Sequence, residues 1–410
     1  MKTKYIITLL LSCFSISSQA QTLETYLEIA AQNNPKLKAK YAEFEAALER
    51  ISQVNTFSDP NVSFGYFIQP VQTRVGPQNL KIGLSQMLPW FGELKAKETV
   101  AALQAESLFK VFEDDKNALY NTVKADWFTL YALNQQSYFL KENIKIYRIY
   151  KDLATVSFKN DKSSMADVLR VDIAIDDLET QVIILDQKIV PIVASFNSYL
   201  NRSIFADIDL PEQLTSIDTS LMDIKSNNLV SQNPLVGAYA LRIEALESQA
   251  LVVQKQNNPK IGVGLDYVFV SKIEGSSIPK NGNDIFMPMM SLSIPIHGRK
   301  NKARIKEVEF KQVAADSSLQ WFTNRLNVRV QQENYLLKSG IEMMDLMDAQ
   351  IEQTQRVISL LTVAYSNAGK DFEEILRLEQ KLLHYKINKV MAESQAHKAV
   401  AAIEYLTGTI

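Results

Sequence analysis

The chain has 410 residues, 46% of them hydrophobic and 22% charged, with a formal net charge of −2. Those proportions are ordinary for a folded protein, and the near-neutral total gives no basic footprint for nucleic acid. The length allows several ordinary domains or one large elongated one.

The first residues read as a secretory signal. Lys2 and Lys4 form a positive start, Ile6 to Ile16 is a short apolar run, and Ser18-Gln19-Ala20 ends it with small residues at both cleavage-determining positions. Cleavage after Ala20 is expected, and it leaves a mature charge of about −4. Cys13 is the only cysteine. Its acylation is the alternative, disfavoured by the large Leu11 before it and by so short an apolar run. With cleavage after Ala20 no cysteine remains, which excludes a disulfide framework and a thiolate nucleophile. No later stretch approaches about 18 consecutive apolar residues, so no helix is expected to span a bilayer. An exported chain of this kind is either soluble or crosses a membrane as a β-barrel.

The sequence then repeats itself once. Asn33-Asn34-Pro35 recurs as Gln232-Asn233-Pro234, Pro60 as Pro259, Pro89 and Gly92 as Pro295 and Gly298, and Tyr199-Leu200 as Tyr405-Leu406. Copies of roughly 200 residues are too long for solenoid units. They indicate a duplicated half: 21–202 and 233–410, joined by a linker at 203–232. A longer loop between Val270 and Ile285 accounts for the shift in offset.

Each half opens with a helix capped by Asn34 or Asn233, with Pro35 or Pro234 at its first position. Two strands follow, near 60–69 and 79–90 in the first half and near 260–270 and 285–296 in the second. Val62, Phe64, Tyr66 and Ile68 alternate with smaller or polar residues, as do Ile261, Val263, Leu265, Tyr267 and Phe269. Each strand has the length that a tilted strand needs to cross a bilayer. Four strands cannot close a barrel, and open edges are not tolerated in lipid. Membrane strands would therefore require several copies of the chain, and three copies would supply twelve.

Proline-free helical patterns follow at 92–160 and 298–367. At about 1.5 Å per residue each would run about 100 Å. Met344, Met347, Ile351, Thr354, Ile358, Leu361 and Tyr365 form a heptad seam. Leu108, Phe112, Leu119, Val123, Trp127 and Leu130 follow it more loosely. Turns near Asn160–Ser164 and Asn367–Asp371 lead into final helices, and Pro191 fits awkwardly inside the first of these.

Paired membrane-length strands, each pair followed by a very long helix, in two tandem copies, resemble the TolC or outer-membrane efflux protein family. The stretch Gly83-Leu84-Ser85-Gln86-Met87-Leu88-Pro89-Trp90-Phe91-Gly92 is similar to the second-strand end of members that serve metal-efflux pumps. The resemblance implies a mainly α fold with membrane β: a homotrimer with one shared 12-stranded β-barrel and a periplasmic helical barrel. It implies an exit duct of a tripartite efflux or type I secretion system, located in the outer membrane. Its partners would be a periplasmic adaptor (membrane fusion protein) and an inner-membrane pump, the RND type being a candidate. No enzyme activity and no cofactor are expected, and the cargo (metal ion, drug or protein) stays open. On this reading Val62, Phe64, Tyr66, Ile68, Ile261, Val263, Leu265, Tyr267 and Phe269 face lipid, and Trp90 sits in the interfacial aromatic belt.

In the family the helix turns narrow to an aperture lined by acids. Glu374 falls on one such position, and Arg377 falls where a second acid would stand. Asp371, Glu373 and Glu374 are the candidate constriction, with Tyr365, Asp161 and Asp167 beside it. Three-fold symmetry would turn each carboxylate into a cation-favouring ring. Ordinary acids at helix N-termini, favoured by the helix dipole, explain the same residues equally well. His384 and His397 lack helical ligand spacing. Met287, Met289, Met290, Met343, Met344 and Met347 read as packing residues rather than copper ligands. A soluble periplasmic coiled-coil adaptor is the rival reading, and it does not need four membrane-length strands.

Overall fold

The structure is a computed structural model that describes residues 22–217, 230–368 and 372–409. The expected signal sequence, Cys13, part of the linker and Asp371 lie outside the described residues. The chain is mostly helical with one four-stranded antiparallel sheet.

The elements run α1 (Leu23–Asn33), α2 (Pro35–Val54), β1 (Asn61–Thr73), β2 (Gly76–Leu88), α3 (Glu93–Lys159) and α4 (Met165–Tyr199). After a short 3-10 turn at Val230–Gln232 come α5 (Pro234–Gln256), β3 (Lys260–Val270), β4 (Ile285–Ser293), α6 (Gly298–Ala368) and α7 (Phe372–Thr407). The side chains of Asn34 and Asn233 accept from the amides of Leu37 and Leu235 at 3.2 and 3.0 Å, which satisfies helix donors that would otherwise be orphaned. The helix α1, ahead of Asn34, has no counterpart in the sequence expectations above.

Two compact units form, and neither is one tandem half. One takes the chain up to Asn33, Thr122–Ile217 and Met343–Ser394; the other takes the remainder. The halves cannot separate because β2, from the first, pairs with β3, from the second.

In the first unit the core is Leu140, Ile144, Tyr147 and Tyr150 of α3, Val171, Ile175 and Leu178 of α4, and Tyr365, Phe372 and Ile375 of α6 and α7. Each such side chain contributes about 1.5–3 kcal/mol on burial. Tyr26 of α1 packs edge-on against Phe196 at 5.1 Å and accepts from the Asp209 amide at 2.9 Å. The helix α4 continues through Pro191, which is exposed. On α6, Met347, Thr354, Ile358 and Tyr365 are buried and Met344, Ile351 and Leu361 half-buried, while the residues between them are largely exposed. The 3–4 spacing thus forms a packing seam.

In the second unit Tyr41 and Phe44 of α2 stack with Phe109 and Phe112 of α3. Val230, Leu326, Val330 and Leu406 form another cluster. Phe310, Val313, Trp321, Val328 and Tyr335 lie exposed on α6. Trp321, Val328 and Tyr335 repeat at heptad spacing, so this helix carries a second apolar stripe, exposed apart from the Arg325 guanidinium over the Trp321 ring at 4.6 Å.

Candidate functional site

The sheet order is β1-β2-β3-β4. A two-residue turn, Arg74-Val75, joins β1 to β2, and Gly76 there has φ +135°. An added Cβ at Gly76 would lie 1.9 Å from the Ser271 carbonyl oxygen, so only glycine fits. The long loop between β3 and β4 closes on this turn: the Gly282 amide donates to Val75 O at 2.6 Å and the Ser271 amide to Pro77 O at 2.9 Å. The Asn281 side chain braces the loop, accepting from the Ile273 amide at 2.8 Å and donating to Ile273 O at 3.0 Å.

Register sorts the side chains onto two faces. Tyr66, Leu80, Phe269, then Phe64, Ile82, Tyr267, Phe286, then Val62, Leu84, Leu265, Pro288 lie in rows across neighbouring strands. This face is apolar in all four strands apart from Gln86. Val62, Phe64, Tyr66 and Ile68 are 52, 73, 74 and 90% exposed. Val263, Tyr267 and Phe269 are exposed on the same face, with Ile261 and Leu265 half-buried. Trp90 is half-buried, and its neighbour Phe91, rings 6.0 Å apart, is the exposed aromatic at this strand end.

The opposite face is mixed, with glycines, serines, Lys81 and Asp266 set among Met87, Val268, Met287 and Met289. Ser63, Gly83, Asp266 and Met287 form one row, and Ser85, Gly264 and Met289 another. Lys81 forms an ion pair with Asp266, whose side chain is only 3% exposed. Gly83 makes this possible: a Cβ there would come within 2.6 Å of Asp266 Oδ1 and 2.5 Å of Ser63 Oγ. Met87 and Met289 lie over the glycines of β3, at 3.4 Å from the Cβ position of Gly262 and 3.7 Å from that of Gly264. The pair Lys81–Asp266 was not singled out from the sequence. The one sign in the sequence was an acid inside an apolar alternation; its partner follows only from β2 lying beside β3.

At the helical turns Tyr365 is buried, with its ring 4.8 Å from Phe372. Within this chain it packs in the core shared by α3, α4, α6 and α7. Asp161 is exposed and holds a left-handed φ of +56° where α3 ends. The Lys162 amide donates back to Ser157 O at 2.9 Å, closing the helix end. Asp167 completes a capping box with Ser164 at the start of α4. Glu373 pairs with Arg170 at 3.1 Å and Glu374 with Arg377 at 2.6 Å. The Arg377 guanidinium holds the Glu374 carboxyl below its ordinary range. Arg170 thus links Asp167 and Glu373, while Arg377 offsets Glu374.

One further residue emerges only from the structure. Glu379 is buried and accepts from the Tyr150 hydroxyl at 2.8 Å, with burial raising its pKa. A groove of about 550 Å³ lies in the same unit, lined by Arg170, Asp177, Gln181, Glu373, Arg377 and His384 among others. Among the described residues no group of three or more His, Cys, Asp or Glu could hold a metal ion. No described helix is long and apolar enough to cross a membrane.

No protein-family model matches the chain, and no curated protein matches it. Solved structures do. The outer-membrane channel OprN superposes with a TM-score of 0.77 at 17% identity, covering 94% of this chain and 89% of that one. The outer membrane protein VceC of Vibrio cholerae gives 0.76 at 14% identity, covering 94% and 96%. CusC, described for transmembrane channel formation, gives 0.77 at 12% identity, covering 95% and 92%. The chain has the fold of these outer-membrane channels. These likenesses single out no metal-efflux branch.

Proposed function

We propose that this chain is one third of an outer-membrane exit duct. Three copies close a 12-stranded barrel, extend helices into the periplasm, and pass substrates handed over by an inner-membrane pump through a periplasmic adaptor. The observation that carries this reading is the sheet. Its apolar face is exposed across all four strands, while β1 and β4 each pair on one side only among the described residues. Unpaired edges in lipid leave backbone groups unsatisfied, at several kcal/mol each. A second copy placing its β1 beside β4 removes that penalty, and three such joins close the ring. The exposed stripe on α6 supplies an apolar face for the same neighbours. The opposite face then lines the lumen. The likeness to outer-membrane channels supports this reading over the soluble adaptor, as does an apolar sheet face that an adaptor would not need. Conversion of substrate plays no part in it. The Gly83–Gly92 stretch is the one feature on the side of metal cargo, and an RND-type pump fits such a duct.

The test is the native mass of the detergent-extracted protein, corrected for bound detergent. A mass near three mature chains is expected. A stable monomer refutes the shared barrel, because four strands cannot seal a membrane alone.

A further inference from the structure

At the helical end of the sheet, β4 leads through Ile294 and Ile296, 61 and 79% exposed, directly into α6. The first turns of α6 carry Arg299, Lys300, Lys302, Arg304 and Lys306, with no acid before Glu307. The side chains of all five are exposed. None of the five makes an ion pair within 4 Å among the described residues; Arg304 acts on Glu307 only at longer range, and Glu307 is held by Lys311 at 2.6 Å. Lys260 stands at the same end of the sheet, opposite Ser293 in the register. Exposed Phe91 marks the corresponding end of β2.

Nothing in the fold of this unit accounts for these cations. A helix start carries partial positive charge, so cations there repel it and one another. The start of α3, by contrast, carries Glu93, paired with Lys97 at 2.7 Å. An anion from outside the chain would relieve the repulsion. The order along the chain is apolar strand, exposed isoleucines, then basic helix. That is the order of hydrocarbon, interface and phosphate in one bilayer leaflet. The basic run covers about 10 Å of helix axis, enough to cross a headgroup layer of roughly 5–8 Å.

We propose that Arg299, Lys300, Lys302, Arg304 and Lys306 form a collar that binds anionic phospholipid headgroups in the leaflet at the helical end of the barrel. This rests on the reading of the sheet as membrane-spanning. The collar holds the barrel at a fixed depth, because the cations follow the phosphates while the isoleucines stay in the interface.

The full-length protein is extracted, assembled in nanodiscs with phosphatidylglycerol or phosphatidylethanolamine, and assayed for retained lipid by native mass spectrometry and for conductance in planar bilayers. The comparison protein carries Arg299→Gln, Lys300→Gln, Lys302→Gln, Arg304→Gln and Lys306→Gln together. Wild type should retain phosphatidylglycerol over phosphatidylethanolamine by about tenfold or more, a preference falling as salt rises from about 0.05 to about 0.5 M. The variant should insert and conduct with less than about a third of that preference. Equal preference in both proteins, with both inserting and conducting, overturns the collar and leaves the duct standing. So does loss of the trimer mass in the variant alone, which would assign the cations to contacts between copies. A wild type that neither inserts nor conducts overturns the duct, and the collar with it.

Discussion

Replacing Asp114 by Asn should stabilise the protein above neutral pH and leave it unchanged in acid. Asp114 of α3 is 8% exposed. Burial, then the neighbouring Asp115 carboxylate, raises its pKa from 3.8 to about 6, against smaller lowering effects from the Tyr405 hydroxyl and Lys36. Lys36 is itself engaged by Asp115 at 2.5 Å. Tyr405 is pushed to about 12, by burial first and the Asp114 charge next. A raised carboxyl pKa means that the folded state holds a proton the unfolded chain has released. Stability therefore falls as pH rises from about 4 and stops falling above about 6. At about 1.4 kcal/mol per unit the penalty reaches about 3 kcal/mol. Asn matches the neutral acid in shape and charge, and the bond from Tyr405 is already contained in the raised pKa. The gain is then about 3 kcal/mol per chain at pH 8. Thermal unfolding of the two proteins in the same detergent, followed by circular dichroism between pH 4 and pH 8, reads this directly. A difference in Tm that stays constant across that range, or an Asn variant less stable at pH 8, would refute the reasoning.

Removing Lys81 strands a buried carboxylate, so Lys81→Ala should cost about 3 kcal/mol, and Lys81→Ala with Asp266→Ala should recover most of it. A double-mutant cycle on thermal stability measures the coupling. Gly76→Ala forces a side chain into a positive φ and against the Ser271 carbonyl. It should lower the share of chains reaching the membrane-inserted form, as read by fractionation. Neutralising Asp371, Glu373 and Glu374 together should raise resting conductance or reduce cation selectivity in planar bilayers, and unchanged values would remove them from the constriction. Arg377→Gln should do the opposite to selectivity, because it frees the Glu374 carboxylate that Arg377 now holds.

Much of the fold was legible because it rests on local periodicities. Period-2 alternation marked the strands, the heptad seam marked α6, and Asn-Pro marked two helix starts. Each depends only on neighbours along the chain. Legibility failed where distant residues meet. The Lys81–Asp266 pair depends on β2 lying beside β3, which no local pattern specifies. Glu379 reads as one more helix-face acid until α7 is set against Tyr150 of α3. Tyr365 looked available for an opening because its spacing cannot tell a core seam from a lumen. Arg170 and Arg377 change the electrostatics of the candidate aperture for the same reason. Charge pairing across helices is invisible in a list of acids.

The pairing of β2 with β3 also fixes an order of events. Every bond from Gln78↔Val270 to Leu88↔Ile261 closes a loop holding all of α3, α4 and α5. The β1–β2 hairpin can form early, but its second edge must wait until the other half of the chain has emerged. During that wait Phe64, Tyr66 and Ile68 stand exposed beside an unpaired strand edge, the arrangement most prone to aggregation. Long-range pairings of this kind form slowly. The helices can settle locally while the sheet is still incomplete. Any delay in producing the second half lengthens the interval in which that strand edge stands open.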